Sequence, residues 1–512
     1  MKNGTYCVML DCSRNGVMNV SALKKFVKII SSMGYNAIML YTEDTYEVVG
    51  EEYFGLFRGK YTIAEIKEID AYALSLGVEL IPCIQTLAHL DTLLRWHAYE
   101  SIADTPDCLL VGEEKTYELI EKMISSISNT FSSKRIHLGL DETFNIGKGK
   151  FFDKNGYAER SEIFAKHYSK VVDIAQKHGF SPIVWGDMLV DFELKANCTT
   201  VCWDYYTEDK NIFGQKLKSH LLSGDDVWYA GGVISWLGFA PYNQFSSNVL
   251  KEHLCVCKEN GINNFIVTLW GDDGKECSYF STLPALFSAI KYWQFGEVES
   301  YLGEFENIVG VSYSDMLMLD EVNNIGEKIK WQNPNKYLLY QDVLLGIYDS
   351  TVSEIYPSCF ANTAKKLELC AKNKVFGYLF NTLASLCRVL EVKCSIGKRT
   401  RNAYKSKDKN ALRELLTDYL KLIELLNAFY EKFRTLWQIE NKTVGFEVMD
   451  IRLGGLIMRI KNAERTVRDF LDGRIEKIDE LEEATAVYYS DEFIGKAIYA
   501  PNYKDIVSAN RI

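Results

Sequence analysis

The sequence predicts an α/β fold, a (β/α)8 TIM barrel over residues 1–295, followed by an all-α C-terminal domain over residues 296–512. In the first part of the chain, short apolar runs rich in β-forming residues alternate with amphipathic helical stretches. Eight such units in about 290 residues have the size and rhythm of a TIM barrel. After about residue 300, long helical patterns replace the strands, and no proline occurs between Pro357 and Pro501.

The predicted strands are the runs 5–11, 37–43, 79–85, 135–142, 182–188, 199–206, 227–232 and 264–272. Asn19 and Thr62 stand where they can cap the following helices. A glycine recurs where each of four helices meets the next strand, a position that favours a left-handed residue: Gly34, Gly77, Gly179 and Gly261. A doubly wound sheet is the alternative, but no G-x-G-x-x-G follows the first strand.

The C-terminal part contains two long helical patterns, 411–437 and 455–483. The segment between them, 438–455, is polar and contains Glu440, Glu447, Asp450 and Arg452. We interpret this segment either as a solvated connection or as a loop that reaches an active-site rim, its own or a partner's. The long apolar helices also make a homodimer a reasonable expectation.

Composition limits the partners and the location. The formal net charge of −11 argues against nucleic acid and anionic membranes as partners. No apolar stretch approaches the ~20 residues of a membrane span, and the N-terminus lacks the features of a signal peptide. The thirteen cysteines are scattered through apolar runs, which predicts reduced core residues and a cytoplasmic location. Cys255 and Cys257 have no second pair or nearby histidine to complete a zinc site.

In a TIM barrel the chemistry lies at the C-terminal ends of the strands, and this sequence places acids and aromatic residues there. In strand order they are Asp11, Arg14; Tyr41, Glu43, Asp44; Gln85, His89; Asp141, Glu142; Trp185, Asp187; Trp203, Asp204, Tyr205; Trp236; Trp270, Asp272 and Glu276. Aromatic faces stack on the C–H faces of a sugar, and carboxylates accept hydrogen bonds from its hydroxyls. A single tryptophan is more often core packing, but four at corresponding positions indicate a small glycan substrate.

A metal site fits the sequence less well. The seven histidines are spread out, and neither H-x-H nor H-E-x-x-H occurs, so we predict no metal and no cofactor. His137 lies inside the fourth strand and is expected to be structural. His89 can equally be structural or reach the site.

Two adjacent acids raise the question of the nucleophile. A retaining glycosidase with a protein nucleophile needs two carboxylates about 5–5.5 Å apart across the scissile bond. Glu142, in RIHLGLDETF, is a plausible acid, but the seventh strand, VWYAGGVISWLGFAP, carries no carboxylate. A 2-acetamido substrate can attack with its own carbonyl oxygen and then needs a carboxylate to orient its N–H. Asp141, next to the acid, is the candidate.

These residues resemble glycoside hydrolase family 20, the β-N-acetylhexosaminidases. HLGLDE, residues 137–142, is similar to the family's His-x-Gly-Gly-Asp-Glu, with Leu140 in place of the second glycine. DCSR (11–14), the histidine of TLAHL (86–90) and WGDDGKE (270–276) are similar to its other strand-end motifs. The resemblance covers about residues 5–295 and is to a divergent branch in which the barrel comes first, without the small N-terminal α/β domain.

The resemblance implies a retaining exo-β-N-acetylhexosaminidase that hydrolyses terminal β-linked GlcNAc or GalNAc through an oxazolinium intermediate. Asp141 would hold the acetamido N–H, and Glu142 would be the general acid and base, with a pKa raised by Asp141 and by burial. Arg14 would hold O3 and O4 of the terminal sugar, and Asp272 or Glu276 would bind its O4/O6 edge. Three tryptophans would surround the acetamido methyl and the ring: Trp185, Trp203 and Trp270. His89 and, on the rim, Trp236 complete the predicted site. The family's tyrosine for the acetamido oxygen is not visible in strand 7, and Tyr205 is the replacement candidate.

Two alternatives stay open. The first is another TIM-barrel retaining glycosidase, with a protein nucleophile such as Asp187 or Asp272. The second is a non-catalytic glycan-binding barrel whose helical domain binds a partner. The sequence does not determine the linkage, the aglycone or the GlcNAc versus GalNAc preference.

Overall fold

Eight parallel strands close into a barrel in chain order, and the eighth strand pairs with the first. The computed structural model describes residues 4–224, 226–325, 333–485 and 502–512. The strands are β1 Tyr6–Asp11, β2 Ala37–Thr42, β3 Glu79–Ile84, β4 Arg135–His137, β5 Ser181–Trp185, β6 Thr199–Trp203, β7 Val227–Gly232 and β8 Phe265–Leu269. The predicted TIM barrel is confirmed.

The eight strands lie where the sequence predicts them, but β4, β5, β6 and β8 end three to five residues before the predicted carboxyl ends. β4 ends at His137 because Gly139 and Leu140 have left-handed φ values of 75° and 74°, which a strand does not allow. β5 ends at Trp185, and Asp187 begins a short helix instead of continuing the strand. All four differences lie at the edge of the barrel where chemistry is expected.

Helices surround the barrel and connect its strands. They are α1 Val20–Met33, α2 Ile63–Ser75, α3 Asp91–Leu94, α4 Glu114–Ser128, α5 Lys150–Asn155, α6 Arg160–Lys177, α7 Asp187–Asp191, α8 Lys210–Ser223, α9 Asn243–Glu259 and α10 Leu283–Phe295. Asn19 caps α1 by accepting a hydrogen bond from the Ala22 amide, and Thr62 forms a capping box with Glu65 at the start of α2. The four predicted joint glycines all have positive φ, 114° at Gly34.

Side chains fill the barrel interior because successive strand residues point to opposite faces. Cys7 and Met9 point inward, whereas Val8 and Leu10 pack outward with helix residues such as Phe26. The inward cluster contains Cys7, Met9, Ala37, Met39, Tyr41, Ile81, Cys83, Ile183, Trp185, Val201, Trp228, Ala230 and Ile266. Tyr41 and Trp185 lie at the carboxyl ends of their strands, so the packed interior forms the floor beneath the rim.

The described part of the chain after α10 consists of helices joined by turns and short connections, as predicted. Its helices are α11 Leu302–Val309, α12 Tyr313–Leu317, α13 Pro334–Tyr340, α14 Tyr356–Cys370, α15 Gly377–Lys405, α16 Lys409–Glu440, α17 Glu447–Leu471, α18 Asp479–Glu482 and α19 Tyr503–Val507. The division between domains at residue 295 stays a prediction, and part of the predicted helical domain, 486–501, lies outside the described residues. Among the described helices, none is both long enough and apolar enough to cross a membrane.

The connection predicted at 438–455 is much shorter than expected. α16 continues to Glu440 and α17 begins at Glu447, so six residues, 441–446, join them. The interpretation as a solvated connection was wrong because the charged residues of this segment are not all solvated, and the alternative, a loop that reaches an active-site rim, stays a prediction. Glu440 is fully buried and Arg452 is 8% exposed, each on the inward face of its helix.

Candidate active site

A cavity of about 310 Å³ opens at the carboxyl ends of the strands, at the lower end of the usual size of small-molecule pockets. Its lining residues are Arg14, Tyr41, His89, Asp141, Glu142, Trp185, Trp203, Tyr205, Tyr206, Trp236, Trp270 and Asp272. Ten of the eleven site residues predicted from the sequence are in this set. Glu276 is the exception.

The two adjacent acids reach the same cavity because the chain turns where β4 ends. Gly139, Leu140 and Glu142 have φ values of 75°, 74° and 47°. This turn overrides the strand alternation that would point Asp141 and Glu142 to opposite faces. A left-handed non-glycine residue costs roughly 1–2 kcal/mol, so the turn depends on contacts that hold it.

Polar groups from the neighbouring strands hold this turn. The Gln85 side-chain oxygen accepts a hydrogen bond from the Leu140 amide at 3.3 Å. The Asp187 carboxylate, at the start of α7, accepts one from the Glu142 amide at 3.2 Å. Asp187 therefore acts on the backbone of the acid, and it is not among the residues that line the cavity.

Asp141 is held in its ionised form. Burial by itself would raise the pKa of this carboxyl, but the charge of the nearby His89 and the hydrogen bond from Gln85 lower it below the usual range. Gln85 Nε2 donates to Asp141 Oδ1 at 2.7 Å, and His89 Nε2 lies 3.4 Å from Asp141 Oδ2. Burial lowers the pKa of His89, but Asp141 and Glu43 outweigh burial and raise it to about 9. The pair is therefore an imidazolium and a carboxylate at neutral pH.

Glu142 differs from Asp141 in its exposure and in the direction in which its pKa is shifted. Its side chain is 44% exposed at the cavity mouth, against 14% for Asp141. Partial burial and the negative charge of Asp141 raise the pKa of Glu142. Two neighbouring carboxyl groups whose environments move their pKa values apart can divide the work of a base and an acid.

Arg14 lies between carboxylates at the carboxyl ends of three strands. Its guanidinium is 3.3 Å from Glu43, 3.6 Å from Asp272 and 3.7 Å from Asp11. Asp11 is itself tied to the loop after β8, where it accepts a hydrogen bond from the Gly271 amide at 2.9 Å. Arg14 and the half-exposed Asp272 thus form a donor and acceptor edge on one side of the cavity.

Aromatic rings form the rest of the wall. Tyr41 packs edge-on to Trp270 at 4.9 Å, and the Trp185 and Trp270 centroids are 6.1 Å apart. Tyr205 stacks on Trp203 at 5.4 Å. Such a wall suits the C–H faces of a sugar ring.

Three residues that help to form the site had no role assigned from the sequence. Tyr41 and Gln85 were recognised as strand-end residues, but their functions depend on a chain of side-chain contacts: Gln85 donates to the Tyr41 hydroxyl at 2.9 Å as well as to Asp141. Tyr206, which lines the cavity, was not singled out. Its hydroxyl accepts a hydrogen bond from Trp236 Nε1 at 2.8 Å. The run of aromatic residues after β6 was the available signal.

The prediction that Glu276 can bind substrate is corrected by its surroundings. Its side chain is 1% exposed, and its carboxylate lies 3.0 Å from the Lys336 ammonium and 3.1 Å from the Arg452 guanidinium. The Tyr340 hydroxyl donates to it at 3.0 Å. Glu276 is therefore part of a buried charge cluster with the helical region.

His89, Asp141 and Glu142 also meet the spacing of a metal site, with ligand atoms within 4.8 Å of one another. With a pKa of about 9, His89 would have to lose its proton to bind a metal, because metal ligation needs neutral imidazole. The contact between His89 and Asp141 is instead that of an ion pair.

Two family models match the chain. The model described as "Glycosyl hydrolase family 20, catalytic domain" matches residues 6–258, and "Glycoside Hydrolase 20C C-terminal domain" matches residues 312–498. The chain belongs to glycoside hydrolase family 20. The resemblance predicted from the strand-end motifs is confirmed, and the second match shows that the helical region is also of a type found in this family.

Two relatives and one solved structure are similar to the chain at low sequence identity. The chain is 28% identical to hexosaminidase D of Homo sapiens over 217 residues, which are 39% of this chain and 44% of that protein. It is 24% identical to hexosaminidase D of Bos taurus over 330 residues, which are 57% of this chain and 93% of that protein. A solved β-N-acetylhexosaminidase from Bacteroides fragilis NCTC 9343 is 20% identical, with a TM-score of 0.48, covering 60% of this chain and 71% of that chain.

Proposed function

We propose that this protein is a retaining exo-β-N-acetylhexosaminidase that removes terminal β-linked GlcNAc or GalNAc by substrate-assisted catalysis. The observation that carries the proposal is the difference between two adjacent acids: Asp141 is mostly buried and has a lowered pKa, and Glu142 is half-exposed and has a raised pKa. Both line one cavity with the predicted aromatic residues.

In the first step the acetamido carbonyl oxygen of the substrate attacks the anomeric carbon, and the bond to the leaving oxygen breaks. Glu142 donates its proton to that oxygen, for which its raised pKa is suited. Asp141 accepts a hydrogen bond from the acetamido N–H, and its negative charge stabilises the oxazolinium cation. Gln85 and His89 keep the Asp141 carboxylate in place throughout.

In the second step water attacks the same carbon from the face that the leaving group vacated. Glu142, now ionised, accepts the proton of that water, and the acetamido group is restored. Two inversions at one carbon retain the configuration. Arg14 and Asp272 would bind the hydroxyls of the terminal sugar, and the aromatic wall would surround the ring and the acetamido methyl. Their shared position in one cavity supports these roles.

A protein nucleophile is the competing mechanism, and one contact bears on it. Among the described residues that line the cavity, Asp272 is the one carboxylate besides the adjacent pair. Its partner is the Arg14 guanidinium at 3.6 Å, which suits a hydroxyl-binding role. A 2-deoxy-2-fluoro glycoside separates the mechanisms, because it would label Asp272 covalently if that residue were the nucleophile.

The test of the proposal uses two variants and one control. Glu142→Gln should lower kcat on p-nitrophenyl N-acetylglucosaminide by about 10²–10⁴-fold, the usual contribution of a general acid. Asp141→Asn should bind N-acetylglucosamine-thiazoline, a mimic of the oxazoline, much more weakly than wild type. Asp153→Asn, an exposed carboxylate of α5, should behave as wild type in both assays. Full activity of either site variant, or equal turnover of plain glucosides, contradicts the mechanism.

Location and assembly belong to the same proposal. We place the enzyme in the cytoplasm because cysteines such as Cys7, Cys83 and Cys202 are buried thiols in the packed interior, which suits a reducing compartment. The substrate would be a small glycan. The predicted homodimer is tested by sedimentation of the purified chain, where a single species of monomer mass would exclude it.

A further inference from the structure

We propose that Lys336 and Arg452, both in the helical region, are positioning residues of the active site: they hold the loop after β8 so that Asp272 meets Arg14 and can recognise the hydroxyl edge of the terminal sugar. This inference rests on the proposed function. It makes the helical region part of substrate recognition instead of a separate appendage to the barrel.

The first support is the number of bonds that converge on the residue next to Asp272. Lys336 Nζ and Arg452 Nη1 both donate to the Asp273 carbonyl oxygen, at 3.0 and 2.8 Å. The same two cations lie 2.8 Å from the Asp273 carboxylate. The Tyr503 amide donates to this carboxylate at 2.6 Å. Helices α13, α17 and α19 thus all bind Asp273 in the loop after β8.

The second support is the backbone conformation of the loop after β8. Asp273, Gly274 and Lys275 have φ values of 40°, 117° and 55°. Two left-handed residues that are not glycine are unfavourable unless their surroundings fix them. A Cβ atom on Gly274 would overlap the Arg452 guanidinium, with Arg452 Cζ at 3.2 Å, so the cation packs directly on the loop backbone.

The third support is burial. The side chains of Lys336, Glu276 and Arg452 are 2%, 1% and 9% exposed. Two cations face two carboxylates, Asp273 and Glu276, and water hardly screens them. Buried charges with several partners hold one geometry strongly, because moving either ion away leaves the other unpaired.

The helical region also holds the loop that carries Arg14. The Lys442 amide donates to the Val17 carbonyl at 2.8 Å, and the Asn19 amide donates to the Glu440 carbonyl at 2.9 Å. The short connection between α16 and α17 is therefore tied to the loop after β1. Both members of the contact between Arg14 and Asp272 stand on loops anchored by the same helical region.

This anchoring matters for Asp272 because an aspartate has a short side chain. Its carboxylate has one methylene of reach, so its position follows the backbone of the loop. Small displacements of a group that binds or orients substrate are costly. Arg452 and Lys336 themselves do not line the cavity, and hence they act through Asp272.

The experiment compares Arg452→Met with Arg459→Met, a control on the same helix whose guanidinium pairs with Asp342 instead of the β8 loop. Arg452→Met should raise KM for p-nitrophenyl N-acetylglucosaminide about tenfold, with a change in kcat below about threefold. Arg452→Lys should restore part of the loss, and Arg459→Met should leave both constants unchanged. Gly274→Ala, which keeps both cations but displaces Arg452, should reproduce the rise in KM if Arg452→Met does not fold.

A double-mutant cycle distinguishes positioning from general damage. If Arg452 acts through Asp272, Arg452→Met adds nothing to the loss in kcat/KM caused by Asp272→Ala. Additive losses, or a KM that does not change, would overturn the proposal. The binding of N-acetylglucosamine, measured by calorimetry with the same variants, gives the same cycle without turnover. If wild type binds this sugar but does not cleave N-acetylhexosaminides, the proposed function fails and the positioning role is still decided.

Discussion

Replacing Gly139 with alanine tests the turn that brings both acids into one cavity. Gly139 has a φ of 75°, and a Cβ atom there would overlap the Gln85 amide, with Gln85 Cδ at 2.6 Å and the Ile84 carbonyl oxygen at 2.9 Å. The Ile84 carbonyl belongs to the end of β3 and cannot yield without disturbing the barrel. The turn and Gln85 must therefore move, and Gln85 is the residue that donates to Asp141 at 2.7 Å.

The magnitude follows from two terms. A left-handed alanine costs roughly 1–2 kcal/mol of stability. Widening the contact with Ile84 from 2.9 to an ordinary 3.4 Å requires a shift of about 0.5 Å beside Asp141. Since misplacing reacting groups by about 1 Å costs about 10²-fold in rate, we expect kcat/KM to fall by about 10–10²-fold.

The control is Gly179→Ala. Gly179 has a φ of 79°, but a Cβ atom there would meet nothing within 4 Å. Both variants should lower the melting temperature by a few degrees, and only Gly139→Ala should also lose kcat/KM on p-nitrophenyl N-acetylglucosaminide. Wild-type kcat/KM in Gly139→Ala, or an equal loss in Gly179→Ala, would refute the link between this turn and catalysis.

Two further predictions concern His89 and the acids. Because the pKa of His89 rises from 6.5 to about 9 on folding, its pairing with Asp141 stabilises the fold fully below pH 6.5, and this stability is lost as the pH rises through 9. The difference in melting temperature between wild type and His89→Gln should therefore be large at pH 6 and small at pH 9.5, and a constant difference would contradict the ion pair. Chelation by EDTA should leave kcat/KM unchanged. Activity that is lost with EDTA and restored by a divalent cation would instead make His89, Asp141 and Glu142 a metal site.

The barrel was predictable because its strands and joints obey local rules. Parallel strands buried on both faces are continuous apolar runs, and a helix that ends beside the next strand favours a left-handed glycine such as Gly34. The site residues at strand ends could be named for the same reason. Glu276 could not be placed correctly, because a short motif does not reveal that Lys336, sixty residues later, pairs with it.

The prediction of a solvated connection between α16 and α17 failed for a related reason. Its charges suggested solvent, yet Arg452 is buried against the β8 loop. Hydropathy describes one residue at a time, whereas the cost of burying a charge depends on partners from distant parts of the chain.

By itself, the sequence determined the order of strands and helices, the barrel and the residue types that reach its rim, because these follow from periodicity and from the alternation of side chains along a strand. The tertiary structure alone decided which way Asp141 and Glu142 face and which side chains lower the pKa of Asp141. It also decided that the helical region holds the loops of Arg14 and Asp272. Those properties arise from backbone angles and charge pairs between segments that only folding brings together.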